Sequence, residues 1–338
     1  MPRAAPGEGY ERIAQVGEGT YGQVFKARAE KSGALVALKK IRMEAEKDGF
    51  PVTAMREIKL LQGLRHENVV RLWEMMVSKN SVYMVFEYME HDLNGVLAHP
   101  SITFTPAHLK SLSAQLFSGL AYLHRRSVLH RDLKGSNILL SNAGVLKLAD
   151  FGLARMYAKR RKGDYTNRVV TLWYKPLELL FGATQYGPEV DMWGAGCIFL
   201  ELFTRRPAFQ GNDEIHQVAV IYDVLGPLVP ADEWPDAEKL PWYDLVRPAA
   251  ASDGLAAQTA EERFKLAFEK SMPPAALAVA FALLRFDPAR RASAAEALQM
   301  PYFTTERPRA QRPAGLLASV EGEWHEFESR RAARKARP

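Results

Sequence analysis

Cysteine is nearly missing from this chain. Cys197 stands alone, so no internal disulfide can form, and a reducing compartment, cytosol or nucleus, is expected. Cys197 lies in the apolar run GAGCIF and reads as core packing. No stretch reaches the roughly 18 consecutive apolar residues of a membrane-spanning helix. The opening MPRAAPGEGY has no apolar segment of the kind a secretory signal carries. No motif recurs at a fixed period. A large net charge is also lacking: +6 over 338 residues gives no reason to expect direct nucleic-acid binding. That charge is uneven, because RRAARKARP from Arg330 to Pro338 has five basic residues and no acidic one. It reads either as a solvated tail or weak nuclear-targeting patch, or as a specific binding segment. At 47% hydrophobic and 25% charged, the remainder is an ordinary globular chain long enough for two lobes.

The first 85 residues are strand-rich. QVFKARA and ALVALKKI alternate as strands do, with Ser32-Gly33 as the turn between them. One helix interrupts: Thr53 can cap TAMREIKLLQGL, whose Met55, Ile58, Leu61 and Leu64 follow helical spacing. VYMVFEYM reads as a buried strand. Past residue 92 the pattern turns helical. Leu109, Leu112, Leu116, Leu120 and Leu123 share one helix face, and VDMWGAGCIFLELFT, apolar all round, reads as a buried helix. Leu228 to Asp253 is expected to form surface loops. Helix is expected to resume from Glu261 to Phe286 and from Ser293 to Leu298, and a Pro/Arg-rich segment from Thr304 is expected to leave the globule. The expected fold is α+β and bilobal: an extension at 1–9, a small strand-rich lobe at 10–89, a larger helical lobe at 90–303, and an extension at 304–338.

Chemistry enters with Gly17-Glu18-Gly19-Thr20-Tyr21-Gly22-Gln23-Val24. This G-x-G-x-x-G-x-V run lets a backbone approach phosphates without Cβ clashes. A strand follows it rather than a helix, which disfavours a dinucleotide fingerprint. Lys39, in VALK, can reach phosphate oxygens as a point charge, with Glu57 on the neighbouring helix as its ion-pair partner. HRDLKGSN, His130 to Asn137, is the most specific phrase. In it Asp132 can take or orient the proton of a substrate hydroxyl, Lys134 can neutralise a transferring phosphoryl group, and Asn137 can hold a metal ion. Asp150-Phe151-Gly152 follows, and Asp150 suits Mg²⁺.

Together these residues resemble the protein kinase signature set over residues 10–303. PVTAMRE (Pro51–Glu57) resembles the cyclin-binding helix of cyclin-dependent kinases. FPVTAMREIKLL, EYMEHDLNGVL, HRDLKGSNILL and YTNRVVTLWY are most similar to the transcriptional branch, which phosphorylates the C-terminal repeats of RNA polymerase II. The resemblance implies a nuclear, proline-directed Ser/Thr kinase that uses ATP and Mg²⁺ and is activated by a cyclin that turns Glu57 toward Lys39. It places Val16, Val24, Ala37 and Leu139 around the adenine, Phe86 as gatekeeper, Glu87 and Met89 on the adenine edge, and Asp92 near the ribose. It makes Thr171 catalytic and Thr166 the activating phosphosite, cradled by Arg56, Arg131 and Arg155. Thr20 and Tyr21 match inhibitory phosphosites or are plain loop.

Two residues depart from the family pattern. Lys175 stands where arginine is usual and Leu177 where proline is usual. Lysine keeps the charge without the planar fork, which weakens the case for proline direction. Glu178 and Arg291 match a family ion pair. Trp324-His325-Glu326 resembles the branch's C-terminal extension, where a His-Glu pair folds back to the ATP site; it caps the nucleotide or is a disordered tail. Rival readings are a cell-cycle-type kinase, a mitogen-activated-type kinase and a pseudokinase scaffold. The adjacent Tyr165-Thr166 is not a T-x-Y pair, and Lys39, Asp132 and Asp150 are all present.

Overall fold

The computed structural model describes residues 7, 9–19, 22–41, 52–78, 81–157, 165–246 and 258–327. Thr20, Tyr21, Pro51, the Arg56 side chain and the run Arg330–Pro338 lie outside the described residues. In chain order come β1 (Tyr10–Gly19), β2 (Gly22–Ala29), β3 (Leu35–Ile41), α1 (Val52–Gly63), β4 (Leu72–Ser78), β5 (Ser81–Glu87), β6 (His91–Asp92), α2 (Leu93–Ala98) and α3 (Pro106–Arg125). Then follow β7 (Val128–Leu129), β8 (Ile138–Leu140), β9 (Leu146–Leu148), β10 (Arg155–Met156), α4 (Leu177–Leu180), α5 (Glu189–Thr204) and α6 (Glu214–Leu225).

The chain divides into two compact units. One comprises Met1–Thr103, Gly135–Leu153 and Arg312–Pro338; the other comprises Phe104–Lys134 and Ala154–Gln311. The first unit holds a five-stranded antiparallel sheet, order β1-β2-β3-β5-β4. Period-two alternation builds it: Ala27, Ala29, Val36, Leu38, Tyr83 and Val85 form one buried layer. On α1, Glu57, Ile58, Leu61 and Leu64 are buried while Met55 and Lys59 are exposed, the one-sided pattern of an amphipathic helix. A three-stranded sheet, β6-β8-β9, completes this unit.

The second unit is helical around α5, every residue of which from Val190 to Leu202 is buried. Small residues on α5 matter here. A Cβ on Gly196 would sit 2.9 Å from Leu284 Cγ and Cδ2, so the helix–helix approach needs glycine at that position. Arg291 and Glu178 form a fully buried bidentate pair, with Nη1–Oε1 2.5 Å and Nη2–Oε2 2.7 Å. The Arg291 guanidinium also stacks 5.0 Å from the Trp193 ring centroid.

Three expectations need correction. The stretch after Leu228 is not simply surface loop: it carries helical turns at Pro230–Glu233, Ala237–Lys239 and Tyr243–Val246, pinned by buried Trp234, Ala237, Tyr243 and Val246. Aromatic and aliphatic anchors among the polar residues outweigh the composition. The expected helix from Glu261 to Phe286 is two helices, Ala260–Phe268 and Pro274–Leu283, because Pro273-Pro274 cannot continue the first. The segment after Thr304 does not leave the globule. Gln311 N donates to Ala107 O in the second unit; in the first, helix Ala314–Ala318 buries Leu317 completely.

Removing one partner of a buried ion pair strands the other charge. Arg291→Ala is expected to cost about 3–5 kcal/mol of unfolding free energy, read by denaturant titration.

Candidate active site

In the first unit, β3 carries Lys39 opposite Val24 of the glycine hairpin. The hairpin pairs Gly17 with Val24, Glu18 with Gln23 and Gly19 with Gly22. Lys39 is buried, and its Nζ donates to Glu57 Oε1 at 2.8 Å and to Asp150 Oδ1 at 3.0 Å. Burial opposes the ammonium, but the Asp150 and Glu57 carboxylates outweigh it and hold the Lys39 pKa well above its ordinary value. The pair is closed in this structure.

Asp150 adopts φ 58°, a left-handed backbone, at the end of the β8–β9 hairpin. Ile138 faces Leu148 there, and Ala149 N donates to Asn137 O. The hairpin thus sets Asn137 opposite Ala149, the residue before Asp150. Among the described residues no group of three His, Cys, Asp or Glu could hold a metal. One carboxylate and one amide oxygen nevertheless fit a hard cation that keeps waters and phosphate oxygens as its other ligands.

The residues assigned to the adenine lie around this sheet. Ala37 faces Phe86 across β3–β5, and Leu139 faces Asp92 across β6–β8. Val16, Phe86 and Met89 are buried, and Val24, Ala37 and Leu139 are half-buried. The Glu87 side chain pairs with Lys147 at 3.0 Å and accepts from Arg71 N.

Asp92 is more engaged than a ribose contact needs to be. Its Oδ1 accepts from Gly95 N at 2.8 Å, capping α2, and its Oδ2 accepts from Glu326 N at 2.7 Å. Burial outweighs these bonds and pushes its pKa up to about 7. The C-terminal segment docks here. Trp324 bridges His91 in parallel, and Asp92 N donates to Trp324 O at 3.0 Å. Trp324 N donates to His91 Nδ1 at 3.1 Å. Because His91 Nδ1 accepts, its Nε2 carries the proton, which goes to Asn142 Oδ1 at 2.8 Å. Gly95 is required: a Cβ there would collide with the Trp324 carbonyl. His325 is buried against Tyr88 and Asp92, and that burial lowers its pKa to about 4.

In the second unit, Asp132 Oδ1 accepts from Thr171 Oγ1 and Oδ2 from Lys134 Nζ, both at 2.8 Å. The loop is tethered from beneath. Asp191, in the first turn of α5, accepts from the backbone N–H of His130 (2.9 Å) and of Arg131 (2.8 Å), and contacts His124 Nε2 at 2.9 Å. Burial works against its ionisation, but these partners prevail and hold its carboxyl below the usual range. The anchor holds Arg131 at φ 65°, strain that tethering of this kind can sustain. Sequence reading missed Asp191, although an acid opening an otherwise apolar helix was a visible signal.

The protein kinase domain model matches residues 10–303. The chain is 53% identical over 330 residues to the CTD kinase subunit alpha of Schizosaccharomyces pombe, covering 98% of this chain and 54% of that protein. It is 46% identical over 310 residues to cyclin-dependent kinase 9 of Danio rerio, covering 88% and 81%. A crystal structure of the yeast RNA Pol II CTD kinase complex superposes with a TM-score of 0.82 at 43% identity, covering 90% of this chain and 95% of that one. The chain belongs to the protein kinase family, in its transcriptional cyclin-dependent branch. It spans little more than half the length of the fission-yeast relative.

In this kinase Thr166 is exposed and its Oγ1 accepts from Arg168 N. Arg131 Nη1 donates to the Tyr186 hydroxyl at 3.0 Å, and that hydroxyl donates to Thr166 O at 2.7 Å. Arg155 instead stacks 4.9 Å from the Tyr165 ring centroid. Of the three expected cradle arginines, Arg131 is thus linked to Thr166 through Tyr186, Arg155 lies on its neighbour, and the Arg56 side chain is outside the described residues. Lys175 is buried with Nζ 2.6 Å from Glu214 Oε1.

The raised Asp92 pKa has a definite sign. The folded state holds this proton more tightly than the unfolded state, so stability from it is full below about 4 and is lost as pH rises through about 7. Asp92→Asn is expected to flatten the fall in melting temperature between pH 5 and 8; an unchanged slope contradicts the assignment.

Proposed function

We propose that this chain is the catalytic subunit of a cyclin-activated Ser/Thr kinase that phosphorylates RNA polymerase II C-terminal repeats in the nucleus. The hydrogen-bonded set Asp132–Thr171–Lys134 of the second unit carries the reading, and the Lys39–Glu57–Asp150 ion cluster within the first unit supports it. Asp132, its carboxylate fixed by two donors, orients the substrate hydroxyl and takes its proton. The hydroxyl oxygen bonds to the γ-phosphorus of ATP, the bond to the bridging β–γ oxygen breaks, and that electron pair leaves on ADP. Lys134 offsets charge on the moving phosphoryl group, and Lys39 binds the phosphates. Asn137 and Asp150 would hold Mg²⁺, which supplies charge neutralisation between the phosphates. The kinase domain is taken as 10–303.

The exposed Met55 and Lys59 of α1 supply a face for a cyclin, whose binding to the closed form would hold Glu57 on Lys39. Phosphate on Thr166 would add charge-assisted bonds to the arginines around it. Proline direction is supported by Val170, a β-branched residue held at φ 68° just before Thr171. Strain at such a position points to a functional constraint, and a target proline, lacking an N–H, needs no backbone acceptor. The names of the relatives quoted above support the repeat substrate.

Lys39→Met and Asp132→Asn, each purified with the cyclin, are expected to lose at least about 10³-fold in phosphate transfer to a repeat peptide, followed with radiolabelled ATP. Wild-type rates in either variant would refute the assignment.

A further inference from the structure

A cluster of side chains at the edge of the first unit is not used by the reaction above. Glu323 uses both carboxylate oxygens: Oε1 lies 2.5 Å from Lys26 Nζ, and Oε2 accepts from the Tyr88 hydroxyl at 2.7 Å. Lys26 Nζ also sits 5.0 Å from the Tyr88 ring centroid, and His325 Nε2 approaches the Tyr88 hydroxyl at 3.4 Å. The Lys26 and Glu323 side chains are only 17% and 26% exposed, so solvent screens this pair less than an open surface pair.

The three elements joined are far apart in sequence. Lys26 lies on β2, two residues from Val24 and so on the same face of the sheet. Its register partners are Ala14 on β1 and Ala37 on β3. Tyr88 directly follows β5. The β1–β2 ladder is irregular on both sides of this point, with register shifts between Arg12 and Ala14 and between Gln15 and Gly17. Shifts of this kind interrupt the ladder and bend the strand, so backbone pairing alone holds the glycine hairpin loosely. A tie from outside the sheet supplies what the ladder lacks.

We propose that Glu323 is a positioning residue for the nucleotide, fixing strand β2 against Tyr88 through Lys26 and so setting the height of the glycine hairpin over the phosphates. The inference rests on the kinase reading and adds to it a residue that touches neither ATP nor the reacting atoms. Glu323 keeps its place because the next residue, Trp324, is bridged to His91.

The test is titration of a fluorescent ADP analogue into the full chain with its cyclin, alongside KM for ATP and kcat. Glu323→Gln keeps an acceptor for Tyr88 but loses the charge facing Lys26. It is expected to weaken nucleotide binding and raise KM about three- to ten-fold, with kcat within about two-fold. Lys26→Met should match it, the double variant should add nothing further, and the swap Lys26→Glu with Glu323→Lys should recover much of the loss. Wild-type nucleotide affinity in Glu323→Gln would overturn the proposal, as would additive losses in the double variant. The kinase reading stands or falls separately, on whether Lys39→Met still transfers phosphate.

Discussion

A buried ammonium between two carboxylates is the constraint on which the first unit depends. Lys39 reaches Glu57 on α1 and Asp150 beyond β9, so one cation joins a strand, a helix and a hairpin end. Each of the three pieces is separately unremarkable in sequence: a strand lysine, a helical glutamate, an aspartate after an apolar strand. Together they form a cluster in which Lys39 keeps one carboxylate partner if either Glu57 or Asp150 is lost. The same cluster fixes where the Asp150 carboxylate stands.

The second unit obeys the same logic with a different anchor. Asp191 sits in the first turn of a helix buried on all sides and binds two successive backbone N–H groups of the His130–Asn137 loop. The helix is rigid because it is packed everywhere, and the loop inherits that rigidity through one carboxylate. Arg131, strained on that loop, reaches Tyr186 and through it Thr166. Two hydrogen bonds through Tyr186 thus link Arg131, the residue preceding Asp132, to the Thr166 backbone carbonyl.

Much of this was legible in the sequence. The glycine hairpin, Lys39, the catalytic loop and Asp150 are written as short local motifs whose chemistry demands those residues. Period-two and helical patterns placed β2, β3, β5 and the buried α5. What was not legible depends on long-range contacts. Pro273-Pro274 was a visible break whose weight was missed. The residues after Thr304 look like a solvated tail by composition, yet Leu317 is fully buried and Trp324 and His325 have partners more than two hundred positions upstream, which no local pattern encodes. Asp92 likewise receives the N–H of Glu326, more than two hundred positions downstream.

The central claim is that the Lys39–Glu57 pair organises phosphate transfer, and Glu57→Gln tests it with least disturbance to shape. With saturating cyclin, the variant is predicted to lose about 10²-fold or more in kcat/KM on a repeat peptide while melting within a few degrees of wild type. Wild-type turnover by Glu57→Gln would contradict the account.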